Sequence, residues 1–406
     1  MNSKARRTNG VLDALCIILP VFGFIMIFDT CALDRSAGGG ALFGRAYKQI
    51  FFGVFSYALY YSAPRLWFYK RDIFMFMKRL TPLALGLSLG LMFAVTFSGT
   101  ETNGAVRWLS ICGFTLQPSE LIKPVFCLGL AWAVTEQTNA PLHHAVMVYM
   151  MLFGLCGLVA VNNMSTGILY CLVLITALFV GGMSLKLFWG SVAGVCAGGF
   201  LFLMHGDAFR QMRIAAWLDP VGYAAQEGDQ VLKSLASIAS AGLFGCGFGN
   251  GHAKYIIPEP ANDYIFTTIA EELGCAGCIV LILAYCLLMW IAWTIIARSK
   301  NRYCRILALT SASFILFQAF LNIAVTLNML PSTGVCLPFV SYGGSSIIAC
   351  FLLMTLLQTA FMHTDKDPKE LKIYFKKRPA FSLTNAFAPE GARQRGGRRR
   401  YRGGLR

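Results

Sequence analysis

The sequence predicts an all-α integral membrane protein with ten transmembrane helices, both termini cytoplasmic and a large outer loop between helices seven and eight. Three observations predict it. Of 406 residues, 56% are hydrophobic and 13% charged, with a mean hydropathy of +0.60, a composition at odds with a soluble domain. Apolar runs long enough to cross a hydrocarbon core about 30 Å thick occur ten times. Lys and Arg are shared unequally between alternate links, as the positive-inside rule requires of a chain with a fixed orientation.

The first run, 11–28, follows Lys4, Arg6 and Arg7 as a secretory signal does, but no small-residue cleavage site follows it, so it reads as helix one. Helices two to seven are read at 49–66, 80–98, 117–135, 143–161, 166–183 and 187–204, and helices eight to ten at 264–297, 305–328 and 344–363. The tails and inner links hold 26 Lys and Arg and the outer links 8, with Lys123 inside helix four. Most of the net charge of +16 therefore sits on the cytoplasmic face. Residues 1–10 form a cytoplasmic tail, 11–363 the membrane domain, and 364–406 a basic tail ending RQRGGRRRYRGGLR. That tail's composition suits disorder and attraction to anionic headgroups. Nucleic acid is not an expected partner, because no soluble domain is present to use it.

Ten of the fourteen cysteines lie in or beside spans, where they act as small hydrophobes, and the Cys275-x-x-Cys278 pair reads as packing within helix eight. Five scattered histidines supply no ligand spacing. Neither a metal nor another cofactor is expected, although carboxylates leave a divalent cation open.

The outer segments hold the candidate chemistry. Residues 205–263 are too long for a mere connector. Their middle, SLASIASAGLFGCGFGNG from Ser234, is almost uncharged and is expected to lie at the interface or dip into the protein, beside a cavity open to the outside. PEPANDYIFTTIAEELG, from Pro258, sets Asp263 at the mouth of helix eight and Glu271 and Glu272 inside it, where carboxylates are costly and point to function. Asp263 also suits the N-cap of that helix. Val106 to Leu116 alternates like a short hairpin and leads through Pro118 into helix four. There Glu120 and Lys123, three apart, share a face and allow an intramembrane ion pair. LPSTGVCLPFVSYGGSS, from Leu330, opens helix ten with Gly343, Gly344, Ser345 and Ser346, whose backbone amides would make an anion site, with Ser341 beside them.

These stretches resemble the SEDS family of bacterial cell-wall proteins, which includes FtsW, RodA and SpoVE. The matching segments are GAVRW, QPSELIK, FRQMRIAAWLDP through SLASIASAGLFGCGFGNG to the Asp263 motif, and LPSTGVCLPFVSYGGSS, in the family's order along most of the chain. The resemblance implies a ten-helix glycosyltransferase of the bacterial cytoplasmic membrane that polymerises lipid II into glycan strands on the outer face. It also implies a class B penicillin-binding protein as partner, with other divisome or elongasome membrane proteins. Two departures stand out. The family's PEAHTDFIF is PEPANDYIF, keeping the acid as Asp263 but placing Ala261 and Asn262 before it. Its EPDLGT is VNNMSTG, so two acidic positions fall on Val161 and Asn163, and a metal or proton role for that loop is in doubt. The lost acids and the forty-odd residues after helix ten set the chain nearer to FtsW than to RodA.

Joining two lipid-linked sugars requires a base for the attacking hydroxyl and cations for the departing undecaprenyl pyrophosphate. Asp263 is the candidate base, since partial withdrawal from water raises a carboxylate's basicity. Arg107, Lys254, Arg210, Arg213 and Lys233 are the outer cations for the leaving group, Arg107 first and Lys254 second. Glu259 is a second acid at the rim that would position a sugar or a cation. Glu271 lies about 12 Å deeper at the helical rise, too far to reach the same atom, and Glu271 or Glu272 is expected to tie helix eight to a neighbour through Lys123. Two other functions fit less well: a flippase for the precursor, which needs polar residues through the whole bilayer depth, and a non-catalytic scaffold for a transpeptidase.

Overall fold

The computed structural model describes residues 8–31, 38–66, 73–102, 105–111, 114–136, 142–182, 185–204, 208–225, 228–258 and 260–364. The chain opens with α1 (Gly10–Cys31), α2 (Gly38–Leu66) and α3 (Ile73–Ser98). A three-stranded antiparallel sheet follows, β1 (Thr100–Thr102), β2 (Ala105–Ile111) and β3 (Phe114–Leu116), in the order β1-β2-β3. The hairpin expected over 106–116 forms as β2–β3, with Leu109 opposite Leu116; β1 was not anticipated.

Next come α4 (Pro118–Leu121), α5 (Lys123–Glu136), α6 (Leu142–Asn162), α7 (Met164–Val180) and α8 (Leu185–Met204). The α4–α5 break has a local cause: Pro124 has no N–H for the carbonyl of Glu120 and disfavours helical backbone at the residue before it. Three short helices, α9 (Ala208–Leu218), α10 (Gly228–Ser240) and α11 (Ala253–Ile256), lie in the outer loop. The chain then runs through α12 (Ile265–Arg298), α13 (Arg302–Thr326) and α14 (Gly344–Met362).

Every apolar run read from the sequence coincides with a helix, the fourth with the α4–α5 pair, although α2 and α3 begin well before residues 49 and 80. Among the described residues, five helices are long and apolar enough to cross a membrane: Gly10–Thr30, Phe76–Phe97, Ile265–Arg298, Arg302–Thr326 and Gly344–Met362. Within those windows α13 and α14 are 72% and 78% buried, whereas α3 is 28% buried. The polar side chains on α13 and α14 therefore face protein.

Phe126, Tyr170 and Phe314 join α5, α7 and α13 through ring contacts with centroids 4.7 to 6.0 Å apart. Tyr57 and Phe339 meet Phe351 of α14 edge-on. At the opposite end from the outer loop, Asp13 accepts from Tyr60, Arg65 and Thr8, fixing α1 against α2.

The outer loop is anchored. Trp217 Nε1 of α9 donates to the carbonyl of Asn328 at 3.1 Å. On the buried face of α10, Ser234 Oγ lies 2.6 Å from Thr267 Oγ1 of α12 and donates to Thr326 O of α13 at 3.0 Å. Helix α12 is broken at Gly274, with φ 67° and ψ −166°, where the sequence suggested one unbroken helix. The loop that leaves α10, before α12 in the chain, fills the break. Cys246 N and Gly247 N donate to the carbonyls of Glu271 and Glu272, and Cys275 N and Ala276 N donate to those of Gly242 and Leu243. Backbone groups orphaned by the kink are thus paired, as buried backbone requires. The segment from Ser234 does dip against the membrane helix, but its first seven residues are helical.

Candidate active site

Asp263 is half-buried in the turn that leads into α12. The N-cap of α12 is Tyr264, with no side-chain capping bond, so the capping role considered for Asp263 is not the one observed. What fixes the turn is its own backbone. The carbonyls of three successive residues, Ala261, Asn262 and Asp263, accept from Tyr342 N at 2.9 Å, Ser341 Oγ at 2.6 Å and Asn322 Nδ2 at 2.9 Å. Ser341 Oγ also accepts from Leu337 N at 2.7 Å, so its single hydroxyl joins two strands of chain.

The Gly-Ser opening of α14 is held in the same cluster. Gln49 of α2 accepts from Gly343 N at 3.2 Å and donates to Ser341 O at 3.4 Å. Ser345 Oγ accepts from Gln117 N at 2.9 Å. A Cβ on Gly344 would come within 2.8 Å of the Phe52 ring, so α14 approaches α2 as closely as it does because residue 344 lacks a side chain. Since Gly343 N is engaged by Gln49, the anion site expected at this terminus loses one of its amides.

Beside the cluster lies the expected ion pair. Lys123 Nζ stands 2.6 Å from Glu120 Oε1, with the lysine side chain 1% exposed. It also donates to Glu120 Oε2 at 2.6 Å and to Gln318 Oε1 at 2.7 Å, and Gln318 Nε2 reaches Cys336 O at 2.9 Å. Burial, and behind it the negative charge of Asp263 and Glu120, holds the Cys336 thiol well above its ordinary value. One link residue thus feels both acids.

The structure corrects two sequence expectations. Glu271 and Glu272 do not meet Lys123: Glu271 Oε2 accepts from Ala253 N at 2.7 Å, and Glu272 accepts from Gly249 N, Gly251 N and Lys254 Nζ. The helix they belong to runs beside the outer loop, which supplies partners nearer than Lys123. Lys254 is not an outer cation open to a phosphate. Its ammonium is fully buried, 2.8 Å from Asp29 Oδ2 of α1, 2.8 Å from Glu272 Oε1 and 2.8 Å from Gly249 O. Three N–H donors facing three acceptor groups leave none for a ligand.

Of the other candidates, Lys233 pairs with Asp229 four residues earlier on α10, and Arg213 is half-buried on α9. Arg107 lies in β2 and Arg210 in α9, and both side chains, like Glu259, fall outside the described residues. At the altered loop, Asn163 caps α7 by accepting from Thr166 N, a task that an acid there would also perform. Among the described residues no group of three or more His, Cys, Asp or Glu is placed to hold a metal ion. A cavity of about 680 Å³ opens between α6, α7 and α8, lined by Cys156, Ala160, Cys171 and Gly194 among others, and shares no wall with the Asp263 cluster.

Gln49, Gln117, Gln318, Asn322 and Asp29 were missed from the sequence. The signal was present in part, since Gln318 and Asn322 are amides four apart in an apolar helix, where such groups need partners. The arrangement offers a carboxylate on a turn pinned at three successive carbonyls, at the end of α12 nearer the long loop, able to take a proton from a hydroxyl brought to it.

The chain matches the model of the FtsW/RodA/SpoVE family, described as cell cycle protein, over residues 11–366. A protein of Trichlorobacter lovleyi named probable peptidoglycan glycosyltransferase FtsW is 31% identical over 359 residues, covering 86% of this chain and 91% of its own. A protein of the same name from Geobacter sp. (strain M18) is 29% identical over 353 residues, covering 84% and 94%. Two solved structures share the fold. One is a chain from a study of the structural coordination of polymerization and crosslinking by a peptidoglycan synthase complex, with a TM-score of 0.71 at 22% identity, covering 89% of this chain and 99% of that one. The other is the rod shape determining protein RodA of Thermus thermophilus, with a TM-score of 0.63 at 22% identity, covering 89% and 98%.

Proposed function

The chain belongs to the FtsW/RodA/SpoVE family of cell cycle proteins, and from that membership we propose that it is a peptidoglycan glycosyltransferase with Asp263 as its general base. Its substrate is lipid II, joined into glycan strands at the outer face of the bacterial cytoplasmic membrane, in the service of cell division. The observation that carries the site is the pinning of three successive carbonyls, Ala261 to Asp263, by Tyr342, Ser341 and Asn322. A base held on so rigid a turn needs little reorganisation at the moment of reaction.

In the proposed reaction the Asp263 carboxylate takes the proton of the attacking sugar hydroxyl, the new glycosidic bond forms at the anomeric carbon, and undecaprenyl pyrophosphate leaves. With Lys254 committed to its acids, the leaving group falls to Arg107, Arg210 and Arg213, whose guanidinium groups bind phosphate oxygens in a fork. In this reading the chain crosses the membrane ten times with both termini cytoplasmic, as the distribution of Lys and Arg supports, and Asp263 lies on the side of that substrate. The chain acts with a class B penicillin-binding protein that crosslinks the strands.

The test is polymerisation of purified lipid II by the detergent-solubilised protein with its cognate transpeptidase, comparing wild type with Asp263→Ala. Polymer from the wild type and none from the folded variant is the expected result. No polymer from a folded, partnered wild type would shift the reading to a flippase or scaffold; equal polymer from both would retain the enzyme and remove Asp263 as base.

A further inference from the structure

Helix α13 carries two amide side chains four residues apart, and so on one face, enclosed by protein. Gln318 and Asn322 are both 1% exposed. Asn322 Nδ2 donates to Asp263 O at 2.9 Å and to Val335 O at 2.8 Å. Gln318 Nε2 donates to Cys336 O at 2.9 Å, while its Oε1 accepts from Lys123 Nζ at 2.7 Å. Rotating the Asn322 amide would set its oxygen against two carbonyl oxygens, so the network demands the orientation with nitrogen toward both. A hydrogen-bonding residue with no access to solvent has no other use for those donors, and leaving the two carbonyls unpaired inside the protein is costly.

We propose that Asn322 is a positioning residue for Asp263, and that the strip from Asn322 to Gln318 makes the Asp263 turn, the 335–336 link and the Glu120–Lys123 ion pair one rigid scaffold. The inference rests on Asp263 being the base. Ser341 and Tyr342 hold the carbonyls of Asn262 and Ala261 from the link. Asn322 ties the acid's own carbonyl to a membrane helix, and it holds the link in the same grip. Without it the turn and the link shift together, and the carboxylate moves relative to a sugar bound at the rim. A displacement of about 1 Å is enough for a loss of about 100-fold in rate.

The experiment measures lipid II polymerisation by the full-length protein with Asn322→Asp and Asn322→Leu, each made alone and combined with Asp263→Glu, beside Asp263→Ala. Thermal unfolding in detergent reports folding for each. The expected result is a fall in kcat of about 10- to 100-fold with KM little changed, shrinking to about threefold or less when Asp263→Glu has already displaced the carboxyl. A general loss of structure would cost the same in both backgrounds. Equal cost in the two, or an effect on KM alone, overturns the role of Asn322 while leaving Asp263 in place. Polymer from Asp263→Ala overturns the base, and this inference with it. Should the first two variants not fold, Asn322→Ser carries the same cycle; failure of all three to fold overturns a role confined to positioning.

Discussion

Lys254 illustrates how a single residue can be misread by its position in the chain and corrected by its neighbours. It stands in the outer loop nine residues before Asp263, which suggests a phosphate ligand, yet its ammonium is buried between Asp29 and Glu272. Burial works against the charge, but the two carboxylates outweigh it and hold the group above its usual 10.5. Stability gained from that pairing is therefore complete below the ordinary lysine value and lost only as pH rises through the raised one, so neutral pH leaves it untouched. Removing the lysine alone strands two acids inside the protein. Lys254→Met is expected to lower stability by about 3 to 5 kcal/mol, read as a fall in unfolding temperature in detergent. The triple variant Lys254→Met, Asp29→Asn, Glu272→Gln is expected to recover most of it, because no unpaired charge remains; a triple variant as unstable as the single one would show that shape and not charge sets the site. None of this was legible beforehand, since Asp29 lies 225 residues away in sequence and only the fold brings it near.

At the scale of the element, the broken helix α12 and the loop that completes it behave as one unit. Gly274 sits at φ 67° and ψ −166°, a region that essentially only glycine occupies. A Cβ there would lie 2.3 Å from Gly245 N and 2.5 Å from Leu243 O, and a Cβ on Gly245 would lie 2.2 Å from Glu272 O. Gly242 has φ +62° but nothing within 4 Å of its would-be Cβ. Gly274→Ala and Gly245→Ala therefore carry both strain and collision, and are expected to prevent the loop from docking, whereas Gly242→Ala carries only strain of about 1 kcal/mol. Limited proteolysis of the outer loop separates the cases: rapid cleavage in the first two and near wild-type resistance in the third. Comparable cleavage in all three would mean that the exchange of backbone hydrogen bonds does not hold the loop. Long apolar runs made the helices that bear them easy to locate, because hydropathy survives whatever the tertiary contacts. The kink at Gly274 was hidden because an isolated glycine is tolerated inside a helix. The short outer helices α9 to α11 lack the length to register against flanking loops. Motif residues such as Asp263, Ser341 and Gly344 stood out by their place at the mouths of helices, and family resemblance gave Asp263 its role; the amides that hold them, Gln49, Gln318 and Asn322, lie outside those motifs.

For the whole molecule, the decisive question is which face of the membrane the Asp263 cluster occupies, because lipid-linked sugars polymerised into the wall are used outside. The helices alone leave orientation open, and the proposed orientation rests on charge. With 26 Lys and Arg in the tails and inner links against 8 in the outer ones, inverting the chain would carry many basic residues across the bilayer, each against the membrane potential at about 2.3 kcal/mol per 100 mV. Two exposed positions report the outcome. Asp219 lies in the long loop that leads to Asp263, and Lys300 in the link between α12 and α13, at the other end of α12 from Asp263. In a background whose exposed native cysteines are changed to serine, Asp219→Cys is expected to react with a membrane-impermeant maleimide on intact cells, and Lys300→Cys only after permeabilisation. The reverse pattern would put Asp263 in the cytoplasm, where it could not act on the outer face, and would remove the polymerase reading together with the charge argument that oriented it.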